Sequence, residues 1–285
     1  MRAFCFIDMP KYRTDRFYFR NGQLRLENRE LEGQLHGLCR TWHYNGQIAD
    51  ESNYDHGQWH GLNRQWDEKG RLLGSFIISH GTCTSREWHQ NGQLMSEADR
   101  LDGKLHGRTR IWLRDGTLVQ EIFYIGNVKV SRTKYLRDAR RHAAWPQYEG
   151  EVAGQVPKMG RDLKQKEHKL FIESLLEKKH AEAVQWLTSG KRPELRSLAK
   201  FRTTKAALHF VENLYAAGAE TVFALPIYAG KRGKLFADWL LVKLPSTPSK
   251  RKAVRKLCQD LCEKRDVAML PEKEMGESHL FVRLD

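Results

Sequence analysis

The chain has 285 residues, 40% of them hydrophobic, which is room for one large domain or two ordinary ones with an adequate core. No apolar run approaches the ~18 residues of a membrane helix, and the start has no apolar region followed by a small-residue cleavage site, so a soluble cytoplasmic protein is expected and a membrane partner is not. The net charge of +14 favours an acidic partner and is unevenly held: residues 1–130 carry 18 Lys/Arg against 16 Asp/Glu, and residues 131–285 carry 31 against 19.

From residue 20 to about 128 the chain repeats every two dozen residues. Trp42, Trp66, Trp88 and Trp112 each precede a turn glycine by four positions, at Gly46, Gly70, Gly92 and Gly116. A second series, Gly33, Gly57, Gly81 and Gly103, interleaves with the first. A period of this size marks units that bury their apolar face only by stacking. Asn45-Gly46, Asn91-Gly92 and Asp115-Gly116 are strong hairpin signals and predict type I′ turns with two residues at positive φ. Between the turns, apolar residues alternate, as in Gln23-Leu24-Arg25-Leu26, and no proline falls between Lys11 and Trp145. The fold class expected over 1–130 is a mainly β sheet of stacked antiparallel hairpins. The tryptophans are expected to line one face as neighbours.

Gly-x-x-His-Gly recurs at Gly33–Gly37, Gly57–Gly61 and Gly103–Gly107, placing His36, His60 and His106 at one repeated position. A histidine beside a tight turn is expected to cap a neighbouring carbonyl, and neither a metal nor a cofactor is assigned. The third unit lacks the motif and is two residues short between Gly81 and Trp88, which predicts a local kink or bulge. The glycines, the aromatic residue after them and the run NGQLRLE…EGQLHGLCRTWHYNGQIADE resemble the MORN repeat variant of the bacterial toxin–antitoxin YwqK family. The resemblance covers residues 20–128 and implies a MORN-like scaffold that contacts proteins. Here the tryptophan follows the second glycine by five residues, as in Gly37–Trp42, so the lipid association of some such repeats is not carried over.

Residues 131–160 read as a basic capping helix and linker. Ser131–Trp145 suits an amphipathic helix with Tyr135, Leu136, Ala139 and Ala143 on one side, ended by Pro146. Its Arg137, Arg140 and Arg141 either lie in solvent over a capped repeat stack or grip an anionic partner. Pro146–Gly160, rich in Gly and Pro, is the expected domain boundary.

Residues 161–285 read as a basic α+β domain. The expected elements are helices Asp162–Thr188, Thr203–Ala217 and Ser249–Lys264, with strands Glu220–Tyr228, Lys234–Leu244, Val267–Leu270 and His279–Leu284. The third helix is expected to turn Ala253, Leu257 and Leu261 inward, and the helices to cover one sheet face. Cys258 and Cys262 share a helix face and read as buried small hydrophobes; with Cys5, Cys39 and Cys83 they are taken as reduced thiols. Asp238 reads as an outward-facing strand residue. Lys250, Arg251, Lys252, Arg255 and Lys256 place five cations at a helix start, where the dipole favours acids, and form the candidate anion contact.

The chain shows no nucleophile, acid–base pair or metal set at useful spacing. The function expected is therefore a non-enzymatic interaction scaffold, antitoxin- or immunity-like, binding an acidic protein. The alternative is binding of nucleic-acid phosphates by the basic half, without a base-reading motif. No oligomeric state is assigned.

Overall fold

The computed structural model describes residues 11–148, 161–265 and 267–284. Cys5, and the expected linker from residue 149 on, lie outside the described residues. The chain divides into two compact units, Met1–Phe19 with Gln23–Lys158 and Arg20–Gly22 with Met159–Asp285.

The repeat unit is strand-rich and antiparallel. Strands Tyr12–Tyr18, Leu24–Leu31, Gly37–Trp42, Ile48–Asp55, Gly61–Trp66 and Leu72–Ile78 pair in chain order, and the short strands Gln34–Leu35 and Gln58–Trp59 pair back onto them. A second sheet runs through Cys83–Trp88, Leu94–Leu101, Lys104–Trp112, Leu118–Ile125 and Val128–Val130. Between Ile78 and Cys83 the ladder shrinks to a single Ser79–Thr82 bridge. That is where the period is two residues short, so the expected irregularity appears as a break between two sheets.

The turns are distributed differently from the expectation. At Gly46, Gly70, Gly92 and Gly116 only the glycine has positive φ. The Gly46 amide donates to His43 O at 2.9 Å and the His43 amide donates to Gln47 O at 2.8 Å, which is a type I turn closed by a glycine bulge. Asn45 is there for its side chain. Its Oδ1 accepts from the Gln47 amide at 3.0 Å, and its Nδ2 donates to Glu68 O of the following unit at 2.6 Å. The type I′ turns fall at the other glycine series, where Glu32-Gly33, His56-Gly57, His80-Gly81 and Asp102-Gly103 all have positive φ. These turns stack: the amides of Gly57, Gly81 and Gly103 donate to Leu35 O, Trp59 O and Gly81 O at 2.7–2.9 Å.

Helix α1 (Arg132–Ala139) closes the last hairpin. Ser131 Oγ accepts from the Lys134 amide at 3.1 Å, and Tyr135 and Ala139 pack with Phe123 and Tyr148. The helix is shorter than expected: after Ala139 the chain turns back, Ala143 is exposed, and Tyr135 Oη donates to Pro146 O at 3.1 Å.

The second unit holds a six-stranded sheet and helices α2 (Arg161–Leu176), α3 (Ala183–Thr188), α4 (Thr204–Ala216) and α5 (Pro248–Arg265). The long helix expected over 162–188 is two helices. Ala181–Glu182 leaves the helix to pair with Phe223 and Ala224, and the Glu182 carboxylate caps α3 by accepting from the Val184 and Gln185 amides. Strand Leu235–Lys243 pairs along one edge with Thr221–Ala229. Its other edge is shared by Arg196–Leu198, in parallel, and His279–Arg283, antiparallel. Three-residue Arg196–Leu198 has no alternation long enough to read from sequence. Helices α3, α4 and α5 pack on one face through Trp186, Leu187, Val211, Leu214, Val254 and Cys258. Helix α2 covers the other face, packing Ile172 and Leu175 on Leu225, Leu241 and Phe281. Helices therefore lie on both faces rather than one. The inward face of α5 is Val254, Arg255, Cys258 and Leu261, and Ala253 is exposed.

Candidate functional site

One feature of the repeats escaped sequence reading. Two positions before each tryptophan stands an arginine: Arg40, Arg64, Arg86 and Arg110. Strand register sets these opposite acids, so that Arg16, Glu27, Arg40, Glu51, Arg64 and Ser75 form one row across the first sheet. Arg86, Glu97, Arg110 and Glu121 form the same row in the second. The contacts are close: Arg16–Glu27 2.7 Å, Arg40–Glu51 2.9 Å, Arg64–Glu51 2.5 Å, Arg86–Glu97 3.0 Å and Arg110–Glu121 2.9 Å. Ser75 replaces the expected glutamate beside the ladder break. Three arginines therefore share two glutamates in the first row, and the sheet is locally positive there.

The same place exposes apolar surface. Leu62 and Ile77 are direct cross-strand partners, 42% and 73% exposed, on the face that carries Arg64 and Ser75. The Arg64 guanidinium lies 5.3 Å from the centre of the Trp66 ring. All four repeat tryptophans are half-buried, and among the described residues no ring contact joins two of them. The expected tryptophan column is held through the backbone instead. His43 Nε2 bonds to Trp66 O at 2.8 Å and His89 Nε2 to Trp112 O at 2.9 Å, while Gln65 Nε2 donates to Trp88 O at 3.2 Å. Trp88 lies directly over Gly74, where any Cβ would meet its ring at 2.2 Å.

The Gly-x-x-His-Gly histidines accept N–H groups rather than capping carbonyls. The His56 amide donates to His36 Nδ1 at 3.4 Å, and the His80 amide to His60 Nδ1 at 3.1 Å. In the shortened unit the Thr82 hydroxyl takes this role for Asp102, at 3.2 Å. His106 stands before the Gly126-Asn127 turn, which has positive φ at both residues and stacks through the Asn127 amide on Leu105 O at 2.8 Å. It is buried against Trp145, at 4.2 Å between rings, and burial and then the nearby His142 push its pKa down. The turn stacking also gathers side chains whose assembly the repeat spacing alone does not show. Asp55 Oδ1 lies 3.4 Å from His36 Nδ1 and 2.7 Å from His56 Nδ1, and Asp55 Oδ2 lies 3.7 Å from His80 Nε2. The rings of His60 and His80 are 4.2 Å apart.

Of the basic candidates, Arg137, Arg140 and Arg141 belong to the first unit and the α5 cations to the second. Arg137 is held by Asp138 at 3.1 Å, Arg140 is the C-cap of α1, and Arg141 is exposed. On α5, Arg251 Nη2 donates to Glu274 at 2.5 Å and to Glu277 O at 2.8 Å. Arg255 is buried, pairs with the Glu277 carboxylate and donates to Pro271 O and Glu272 O at 3.1 and 3.0 Å. Lys256 reaches Asp260 at 2.8 Å, while Lys250 and Lys252 are exposed. The two arginines thus clamp the 271–277 loop. They satisfy themselves within the unit instead of opposing the helix dipole unpaired.

Asp238 is 3% exposed and accepts from the Tyr228 hydroxyl, so it is not the outward-facing residue expected. Cys258 is fully buried and Cys262 packs against the same core, as small hydrophobes; burial pushes the Cys258 thiol up to about 12. Among the described residues no helix is long and apolar enough to cross a membrane. No curated protein and no solved structure matches the chain. Residues 35–56, from the Leu35-His36-Gly37 end of the first Gly-x-x-His-Gly element through Trp42 to His56, match the model of the MORN repeat variant, so the chain carries a MORN repeat.

Proposed function

We propose that this chain is a non-enzymatic scaffold whose repeat sheet docks an acidic protein. The observation that carries this is the exposed Leu62–Ile77 pair beside Arg64 and Trp66, where the charged row loses a glutamate. An apolar, aromatic centre flanked by surplus arginine has the composition of a protein-docking hot spot. The net charge of +14 favours the same sign of partner. The finer role, an antitoxin- or immunity-like one, is supported only by the resemblance of the repeats.

The test is affinity capture from the native cells with the wild type and with the double variant Leu62→Glu, Ile77→Glu. The expected result is an acidic protein held in stoichiometric amount by the wild type and lost by the variant, whose circular dichroism is unchanged. Absence of any stoichiometric protein overturns the scaffold reading. The second reading, phosphate-backbone binding, draws on the 31 Lys/Arg against 19 Asp/Glu of residues 131–285. It predicts a mobility shift with DNA or RNA that weakens steeply between two salt concentrations.

A further inference from the structure

We propose that the stacked type I′ turns hold a divalent transition-metal site formed by His36, Asp55 and His56, with the remaining positions open to water. One ligand atom from each of the three lies within 4.8 Å of the others. Ligands at ~2.1 Å around a tetrahedral ion stand about 3.4 Å apart. The His36 Nδ1–Asp55 Oδ1 separation is already 3.4 Å. His56 Nδ1, at 2.7 Å from the same oxygen, must draw back from a hydrogen bond to make room. His56 is exposed and free to do so. His80 Nε2 faces the other carboxylate oxygen at 3.7 Å.

The donors come from two successive units, and the backbone fixes their spacing. Gly57 N donates to Leu35 O at 2.8 Å and Gly81 N to Trp59 O at 2.7 Å, which locks each turn onto the unit before it. The competing hydrogen bond at His36 is a long one, with the His56 amide 3.4 Å from Nδ1. Imidazoles with one carboxylate suit zinc, nickel or copper rather than calcium or magnesium, which prefer all-oxygen sets. The missing histidine of the third unit does not weaken such a site, since none of its three ligands comes from that unit. Sequence reading singled out His36 and His60 but not Asp55, His56 and His80, although Asp55-His56-Gly57 and Ser79-His80-Gly81 sit one period apart. The site is independent of the docking face around Leu62.

The experiment is calorimetric titration of the full chain with Zn²⁺ alone. One saturable site is expected. Asp55→Ala and His56→Asn each weaken it by at least about tenfold, whereas His209→Gln, on α4, leaves it unchanged. Asparagine tolerates the left-handed backbone of His56, at φ 44°, so that variant keeps the turn and decides the matter if Asp55→Ala unfolds. No saturable uptake by the wild type, or uptake unaffected by His56→Asn, overturns the assignment.

Discussion

Arg255 is a surface residue by type and a buried one by position. With Glu277 it forms an ion pair in which the two residues are 6% and 4% exposed, its Nη2 donates to the carbonyls of Pro271 and Glu272, and its Nε lies 3.3 Å from Glu274 Oε2. Removing one partner strands a desolvated charge, so Arg255→Ala is expected to cost about 3–5 kcal/mol in urea unfolding. The pair Arg255→Met, Glu277→Leu is expected to cost less than that single change, because no charge is left behind. Two histidines set a pH limit. Burial, followed by His142, lowers the pKa of His106 against the opposing Asp102; burial, then Lys243 and His168, lowers that of His279 against the opposing Glu220. A lowered histidine binds its proton in the unfolded chain first. The contribution of these two histidines is therefore flat above about pH 6.5 and falls as pH drops below it. The carboxylates held low act further down. At Glu274 burial raises the pKa, but the Arg251 hydrogen bond and charge, with Arg255, overcome it. Melting temperatures from pH 7 to 5 are expected to decline, and His106→Gln to flatten part of that slope.

Among the elements, the turns make the sharpest comparison. Gly33 and Gly81 occupy the same turn position with φ of 81° and 79°. A Cβ on Gly33 meets nothing, so Gly33→Ala is expected to cost only the left-handed penalty of about 1–2 kcal/mol. A Cβ on Gly81 would lie 2.4 Å from the Gly103 amide, the group that donates to Gly81 O at 2.9 Å. Gly81→Ala is therefore expected to cost more, and to loosen the Asp102-Gly103 turn, as read by urea unfolding and amide exchange. The charged row grades in the same way. Glu51 serves two arginines from a buried position, and Glu51→Ala is expected to cost about 2 kcal/mol. Glu97→Ala, more exposed and serving Arg86, is expected to cost under about 1 kcal/mol. Sequence and structure agree where the period governs: the glycine positions, the antiparallel pairing and the irregularity at Gly81 all follow from it. They part where a residue's partner lies one strand away. The Arg-x-Trp spacing is plainly visible in the chain, yet only the register shows that each arginine meets a glutamate. The Asn-Gly turns mislead because asparagine is chosen there for a bond to the next unit. Nothing local marks Asp238 as buried, or breaks the helix after Leu176, since both depend on the sheet beside them.

At the scale of the molecule, the two units are held by different means. The second has a continuous core on both faces of its sheet, with Leu225, Leu240, Leu241, Val242 and Leu280 fully enclosed. The repeat unit buries mostly small or scattered side chains, among them Cys39, Ala49, Ile78 and Ala98. Its order rests on ladder bonds, stacked turns and the charged row. A stack of this kind gains stability from each neighbour, and its ends are weakest unless capped. Among the described residues one end has a cap: α1 seals the last hairpin through Tyr135, Phe123 and Tyr148. The opposite edge, Tyr12–Tyr18, presents exposed Tyr12, Phe17 and Tyr18. Protection from hydrogen exchange is therefore expected to rise along the repeats toward Leu118–Ile125, and to be greatest in the second unit at strand Leu235–Lys243. The break at Ser79–Thr82 should appear as a step in that gradient, because one bridge transmits less coupling than a full ladder. Tyr135→Ala removes the centre of the cap and should lower protection from Cys83 to Val130 first, leaving the repeats before Ile78 less affected. Uniform protection across both sheets, or a uniform loss in Tyr135→Ala, would show that the repeat unit unfolds as one block and that the break at Gly81 has no energetic consequence.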